Sequence, residues 1–135
     1  MTELTTSYER LAESPAGPIA AVVYGGKYLP GSEGNEFCLA MINFLRTVMT
    51  EAKPAAVLFD LTALDYVWGD AIAGLAMPLL EEGTDSRFRP SVIVATGTTA
   101  QALAPLVEQT LLGLAGMRIF SARHEAIAHL QGLLK

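Results

Sequence analysis

The sequence predicts an α/β fold, a single domain over residues 1–135 with a mixed, mostly parallel sheet of about five strands and about four helices. Three observations carry that expectation. Apolar runs of strand length alternate with helically spaced apolar residues from Ile19 to the end, as parallel strands joined by right-handed crossovers do. Ala55-Ala56-Val57-Leu58-Phe59 is an unbroken apolar run closed by Asp60-Leu61-Thr62, the mark of a central strand buried on both faces. Before both, Pro15-Ala16-Gly17-Pro18 is turn chemistry between two β-like stretches, so the sheet opens with an antiparallel hairpin.

Residues 1–7 read as a flexible tail, Tyr8–Ser14 as an edge strand and Ile19–Tyr24 as its partner, with Gly25-Gly26 closing it. Ser32 suits an N-cap, and Phe37, Met41, Phe44 and Val48 then recur at helical spacing. Leu39, Ile42, Leu45 and Met49 broaden that stripe, so a helix over 33–51 would keep apolar surface to spare, enough to motivate a homodimer. Lys53-Pro54 ends the helix and feeds the central strand. A second helix is expected after Asp70 and as far as about Glu82, kinked between Gly74 and Pro78 and capped by Gly83. Ser91–Ala95 is a further buried strand, Ala100–Leu112 a third helix and Met117–Phe120 the last strand. Ser121 caps a final helix whose apolar face is Ala126, Ile127, Leu130, Leu133 and Leu134.

Composition excludes several functions. A net charge of −5 repels phosphate backbones, and Arg87 with Arg89 makes no basic stripe, so nucleic acid is not expected as a partner. No apolar run reaches the roughly 18 residues of a membrane span, and Met1-Thr2-Glu3-Leu4 has no leader pattern. A cytoplasmic protein without a membrane partner is the expectation. Cys38 stands alone in a helical apolar pattern and reads as a small core side chain.

Catalytic machinery does not assemble. Asp60 would end its strand as a phosphoacceptor does, yet Tyr24-Gly25-Gly26 and Phe120-Ser121 stand where a metal-binding acid pair and a lysine would be needed. His124 and His129 lie five apart on a helix and do not share a face as paired ligands would. His129 falls near the helix C-terminus, where the dipole favours it. No nucleophile elbow is present. Neither a metal nor a cofactor is expected, and the reading is non-enzymatic. Thr96-Gly97-Thr98-Thr99 before a helix could offer N–H groups to an anion or nucleotide, with Gly97, Thr98 and Thr99 as its residues. Plain capping explains that segment better, because the P-loop lysine and the dinucleotide glycine spacing are missing.

The sharpest local feature is Trp68-Gly69-Asp70, between the central strand and the next helix. Open α/β sheets carry their working surface at this carboxyl edge. Core packing explains a tryptophan as readily as binding does, but Trp is also enriched at interface hot spots. An N-cap role for Asp70 would still leave its charge at the surface.

Phe59-Asp60-Leu61-Thr62-Ala63-Leu64-Asp65-Tyr66-Val67 and the helix start after it resemble the central segment of the STAS domain, the sulfate transporter and anti-sigma-factor antagonist family. Val92–Ala95, Gly97 and Met117–Ala126 continue the likeness, which covers about Ile19 to Leu134. The resemblance implies a non-enzymatic module whose partner is a protein, an anti-sigma factor or kinase. In antagonists of that family the loop after the central strand reads Asp-Ser-Ser-Gly, and one serine is phosphorylated. Here the ungapped register puts Trp68, Gly69, Asp70 and Ala71 on those positions, with Asp70 at the phosphoacceptor. With one inserted residue the acid falls on Asp70 and the glycine on Gly74. Neither register keeps a hydroxyl. The expectation is a partner-binding face of Tyr66, Trp68, Gly69 and Asp70 that serine phosphorylation does not switch.

Overall fold

The computed structural model describes residues 4–28, 32–66, 71–79 and 89–134. Among the described residues, five strands form one sheet in sequence order: β1 (Thr5–Ser14), β2 (Gly17–Lys27), β3 (Ala56–Asp65), β4 (Ser91–Val94) and β5 (Ile119–Phe120). The β1–β2 pair is antiparallel, and β2–β3, β3–β4 and β4–β5 are parallel. The mixed, mostly parallel sheet expected from the sequence is therefore present. The helices are α1 (Ser32–Ala52), a 3₁₀ segment (Ala71–Leu79), α2 (Gly97–Gln109), the one-turn α3 (Leu111–Leu114) and α4 (Arg123–Leu133).

Strand alternation divides the core in two. Val57, Phe59 and Leu61 of β3 face α1, the 3₁₀ segment, α2 and α3, in a cluster that includes Phe37, Met41, Leu45, Val48, Ile72 and Leu103. Ala56 and Leu58 face α4, with Ile19, Ala21, Val92, Val94, Ala126 and Leu130. The first cluster also holds the aromatic stack: Tyr24 lies on Phe59 at a centroid distance of 6.4 Å and donates its hydroxyl to the Met41 carbonyl at 2.6 Å. That bond lets a polar phenol sit fully buried, and burial drives its ionisation far above the ordinary range.

Several boundaries differ from the sequence reading, each for a physical reason. β1 begins at Thr5, inside the segment expected to be a tail, because Thr5 pairs with Gly25 and Thr6 with Tyr24. Gly25-Gly26 does not close β2 but lies within it. A side chain at Gly25 would meet Thr5 Oγ1 at 2.6 Å and Ala63 Cβ at 3.2 Å, so the glycine admits the neighbouring strands. β3 runs on past Thr62 to Asp65, pairing with Gly25, Gly26 and Lys27. α1 ends as expected before Lys53, which takes a left-handed φ of 46° ahead of Pro54.

The kinked second helix is instead a 3₁₀ segment as far as it is described. Pro78 has no N–H to give, and a Cβ at Gly74 would meet Ile42 Cδ1 at 3.0 Å, so the tighter coil lies close against α1. This contact uses apolar surface that the stripe on α1 was expected to offer a second copy. Phe37, Met41, Leu45 and Val48 are buried in the protomer, while Leu39 is 58% exposed. The third helix divides at Thr110, which is extended and directs both its N–H and its hydroxyl to the Leu106 carbonyl. β5 is shorter than expected, and Ala122 rather than Ser121 occupies the N-cap of α4, with no side-chain cap bond. Gly83 and the polar loop before Arg89 lie outside the described residues, as do Val67, Trp68, Gly69 and Asp70.

Candidate functional site

The carboxyl half of β3 outruns its neighbour. β4 pairs with it only from Val57 to Asp60, whereas β2 accompanies it to Asp65. Between those limits β3 accommodates an extra residue: Val23 sits opposite Asp60 and Gly25 opposite Ala63, so one residue of β2 faces two of β3. Asp60 stabilises that bulge. Its Oδ1 accepts from the Thr62 backbone N–H at 3.0 Å and from the Thr62 hydroxyl at 2.6 Å, replacing ladder bonds that the bulge interrupts.

The other carboxylate oxygen belongs to Arg123, the first residue of α4. Its Nε and Nη2 both lie 2.8 Å from Asp60 Oδ2, and Nη1 reaches across β2 to Glu9 of β1. Burial alone would raise the Asp60 pKa. The two Thr62 bonds and the Arg123 guanidinium outweigh it and hold the carboxylate below its ordinary 3.8. Arg123 is in turn pushed up, chiefly by its bond to Glu9 and against partial burial. With both oxygens committed to four donors, Asp60 is built to order backbone and helix, not to accept a phosphoryl group.

Where β3 ends, Thr99 of α2 replaces the missing strand. Its hydroxyl donates to the Leu64 carbonyl at 2.8 Å and accepts from the Tyr66 N–H at 3.3 Å, and the residue is 5% exposed. On the other side the Tyr28 N–H reaches the Asp65 carbonyl at 2.8 Å. The Tyr28 ring stands edge-on to Tyr66 at 4.9 Å and to Phe37 at 5.6 Å. The chain thus leaves the sheet over a packed aromatic floor with its backbone tied from both sides.

The expected site residues fall unequally on this edge. Tyr66 was expected to meet a partner, but its ring is fully buried: the aromatic floor takes the apolar body of the side chain inward. Trp68, Gly69 and Asp70, the rest of the face, lie outside the described residues. Of the candidate anion residues, Gly97 and Thr98 are exposed at the start of α2, whereas the Thr99 side chain turns inward to β3. Cys38 is buried, and its thiol is pushed up to about 11 by that burial, which suits the core role read from its pattern. His129 packs on the Phe120 ring at 5.3 Å, while His124 is exposed with Nε2 3.9 Å from Glu125. Among the described residues no group of three or more His, Cys, Asp or Glu side chains is placed to hold a metal ion, and no helix is long and apolar enough to cross a membrane.

Sequence reasoning missed Glu9 and Arg123. One signal was available: an arginine opening a helix sits at the wrong end of the dipole, so it needs carboxylates of its own. A buried-run acid such as Asp60 needs a cation for the complementary reason.

Comparison with known proteins reaches this chain through shape. No family model matches the sequence, and no curated protein does. Among solved structures, an anti-sigma factor antagonist from Mycobacterium paratuberculosis superposes with a TM-score of 0.62 at 18% identity, over 96% of this chain and 95% of that one. The two chains share one fold. At such identity the likeness establishes the STAS-like architecture across nearly the whole chain, as the motifs of β3 implied, and leaves the chemistry of the edge to its own residues.

Proposed function

We propose that this STAS-like chain is a regulatory module that acts by docking on another protein, and that Trp68, Gly69 and Asp70 carry the contact. The observation behind this reading is the whole-length likeness to an anti-sigma factor antagonist. Its partner class is accordingly an anti-sigma factor, including those built as kinases. The edge itself supports a mechanical role: Asp60 binds Thr62 and Arg123, Thr99 binds the backbone at the end of β3, and Tyr66 packs inward.

No Ser or Thr occurs between Tyr66 and Leu75. A partner therefore meets a carboxylate with one fixed negative charge where a phosphoserine would bring nearly two, so docking is constitutive at this loop. Affinity capture from the native cell, with the bound protein identified and then titrated against purified chain, tests the proposal. Trp68→Ala should weaken that binding by about tenfold or more while the melting temperature holds, as truncation of an interfacial tryptophan does. Equal affinity of the two proteins would refute the assignment of the contact. Stoichiometric phosphorylation within 66–75 would refute the unswitched loop.

A further inference from the structure

We infer that Thr99 is a positioning residue for the proposed docking edge, its hydroxyl acting as a one-group substitute for a strand beside the end of β3. Within a strand the carbonyl of one residue and the N–H two residues later point to the same side. A parallel neighbour satisfies that pair with its own N–H and carbonyl. β4 stops at Val94, opposite Asp60, so it cannot serve Leu64 and Tyr66. The Thr99 hydroxyl can, because it both donates and accepts. It does so at 2.8 Å and 3.3 Å from a 5% exposed position in the first turn of α2. The opposite side of β3 is already bound through the Asp65 carbonyl. Tyr66 is thereby fixed in direction as well as depth, and it is the last described residue before Trp68.

This inference deepens the docking proposal and rests on it for its biological meaning, but its test needs no partner. Trp68 is the sole tryptophan of the chain, so fluorescence reports on the segment after Tyr66 directly. In the full-length wild-type protein the Tyr66 amide should exchange at least about a hundredfold more slowly than a free peptide. Thr99→Val keeps the β-branched shape and removes the hydroxyl. It should speed that exchange about tenfold, the effect of losing one buried hydrogen bond, and change acrylamide quenching of Trp68 about twofold. Thr99→Ser keeps the hydroxyl and should restore both values.

Wild-type exchange of Tyr66 at the free-peptide rate overturns the inference. So does a Thr99→Val protein whose Tyr66 exchange and Trp68 quenching match wild type. If Thr99→Val fails to fold, the wild-type amide and Thr99→Ser decide, and loss of protection in the serine variant counts against the inference. Because these readouts use the protein alone, failure of partner capture with Trp68→Ala would refute docking and leave the role of Thr99 standing.

Discussion

The two faces of the sheet are held by different means. On the α1 side three helices and a 3₁₀ segment enclose Phe59, Leu61, Met41, Leu45 and their neighbours, and the cover is supplied by the connections between parallel strands. On the other side, among the described residues, α4 is the one helix over a smaller cluster around Leu58, Leu130 and Ala126. There the edge of the contact is closed by Arg123, which ties α4 to Asp60 of β3 and Glu9 of β1. Apolar area is non-directional and suffices where many elements converge. A single helix on a sheet can slide, and directed charged bonds limit that freedom.

The contrast can be broken first in the large core. Phe59→Ala removes a fully buried ring that stacks on Tyr24, and it should cost about 3–5 kcal/mol in urea unfolding. Leu130→Ala on the α4 side should cost about 2–4 kcal/mol, since the one-layer cover can relax further into the gap. If the two losses came out reversed, the unequal division of the core would be wrong.

A smaller effect tests the charged tie. Arg123→Ala leaves the buried Asp60 carboxylate with only its Thr62 donors, and it should cost about 1–2 kcal/mol, less than a fully enclosed pair because the guanidinium is a third exposed. Hydrogen exchange should then rise in α4 and β1 before it rises in α1.

Acid titration sharpens the same point. The folded pKa of Asp60 lies below its ordinary 3.8, so its contribution is complete above that pH and disappears as pH falls through the folded value. Asp60→Asn should therefore be less stable than wild type at neutral pH and should lack this part of the acid-induced loss. Parallel acid limbs for the two proteins would remove Asp60 from the account. The smallest change is expected at Arg10 and Glu13, whose side chains are each 64% exposed: Glu13→Ala should shift stability by under about 0.5 kcal/mol.

The comparison also explains which parts of the molecule were legible. The unbroken apolar runs in Ile19–Tyr24, Ala56–Phe59 and Val92–Val94 announce strands, because parallel strands covered on both sides need uninterrupted apolar residues. The stripe from Phe37 to Val48 announces α1 for the same reason of burial. Gly25 was misleading: glycine commonly ends a strand, and here it makes room for Thr5 and Ala63. Thr99 was also read locally, as part of a helix start, while its partners Tyr66 and Leu64 stand 33 and 35 residues earlier in the chain. Arg123 and Glu9 are 114 residues apart, beyond any local pattern.

Sequence by itself determined the class of fold, the central place of β3, the inward role of Cys38 and the absence of a hydroxyl between Tyr66 and Leu75. Those follow from residue type and from periodicities that act over a few residues. Tertiary structure alone decided the bulge at Leu61-Thr62, the inward turn of Tyr66, the hydroxyl of Thr99 beside β3 and the bridge from α4 to both strands. Each depends on groups brought together only after the sheet has formed, when burial makes an unpartnered polar group costly.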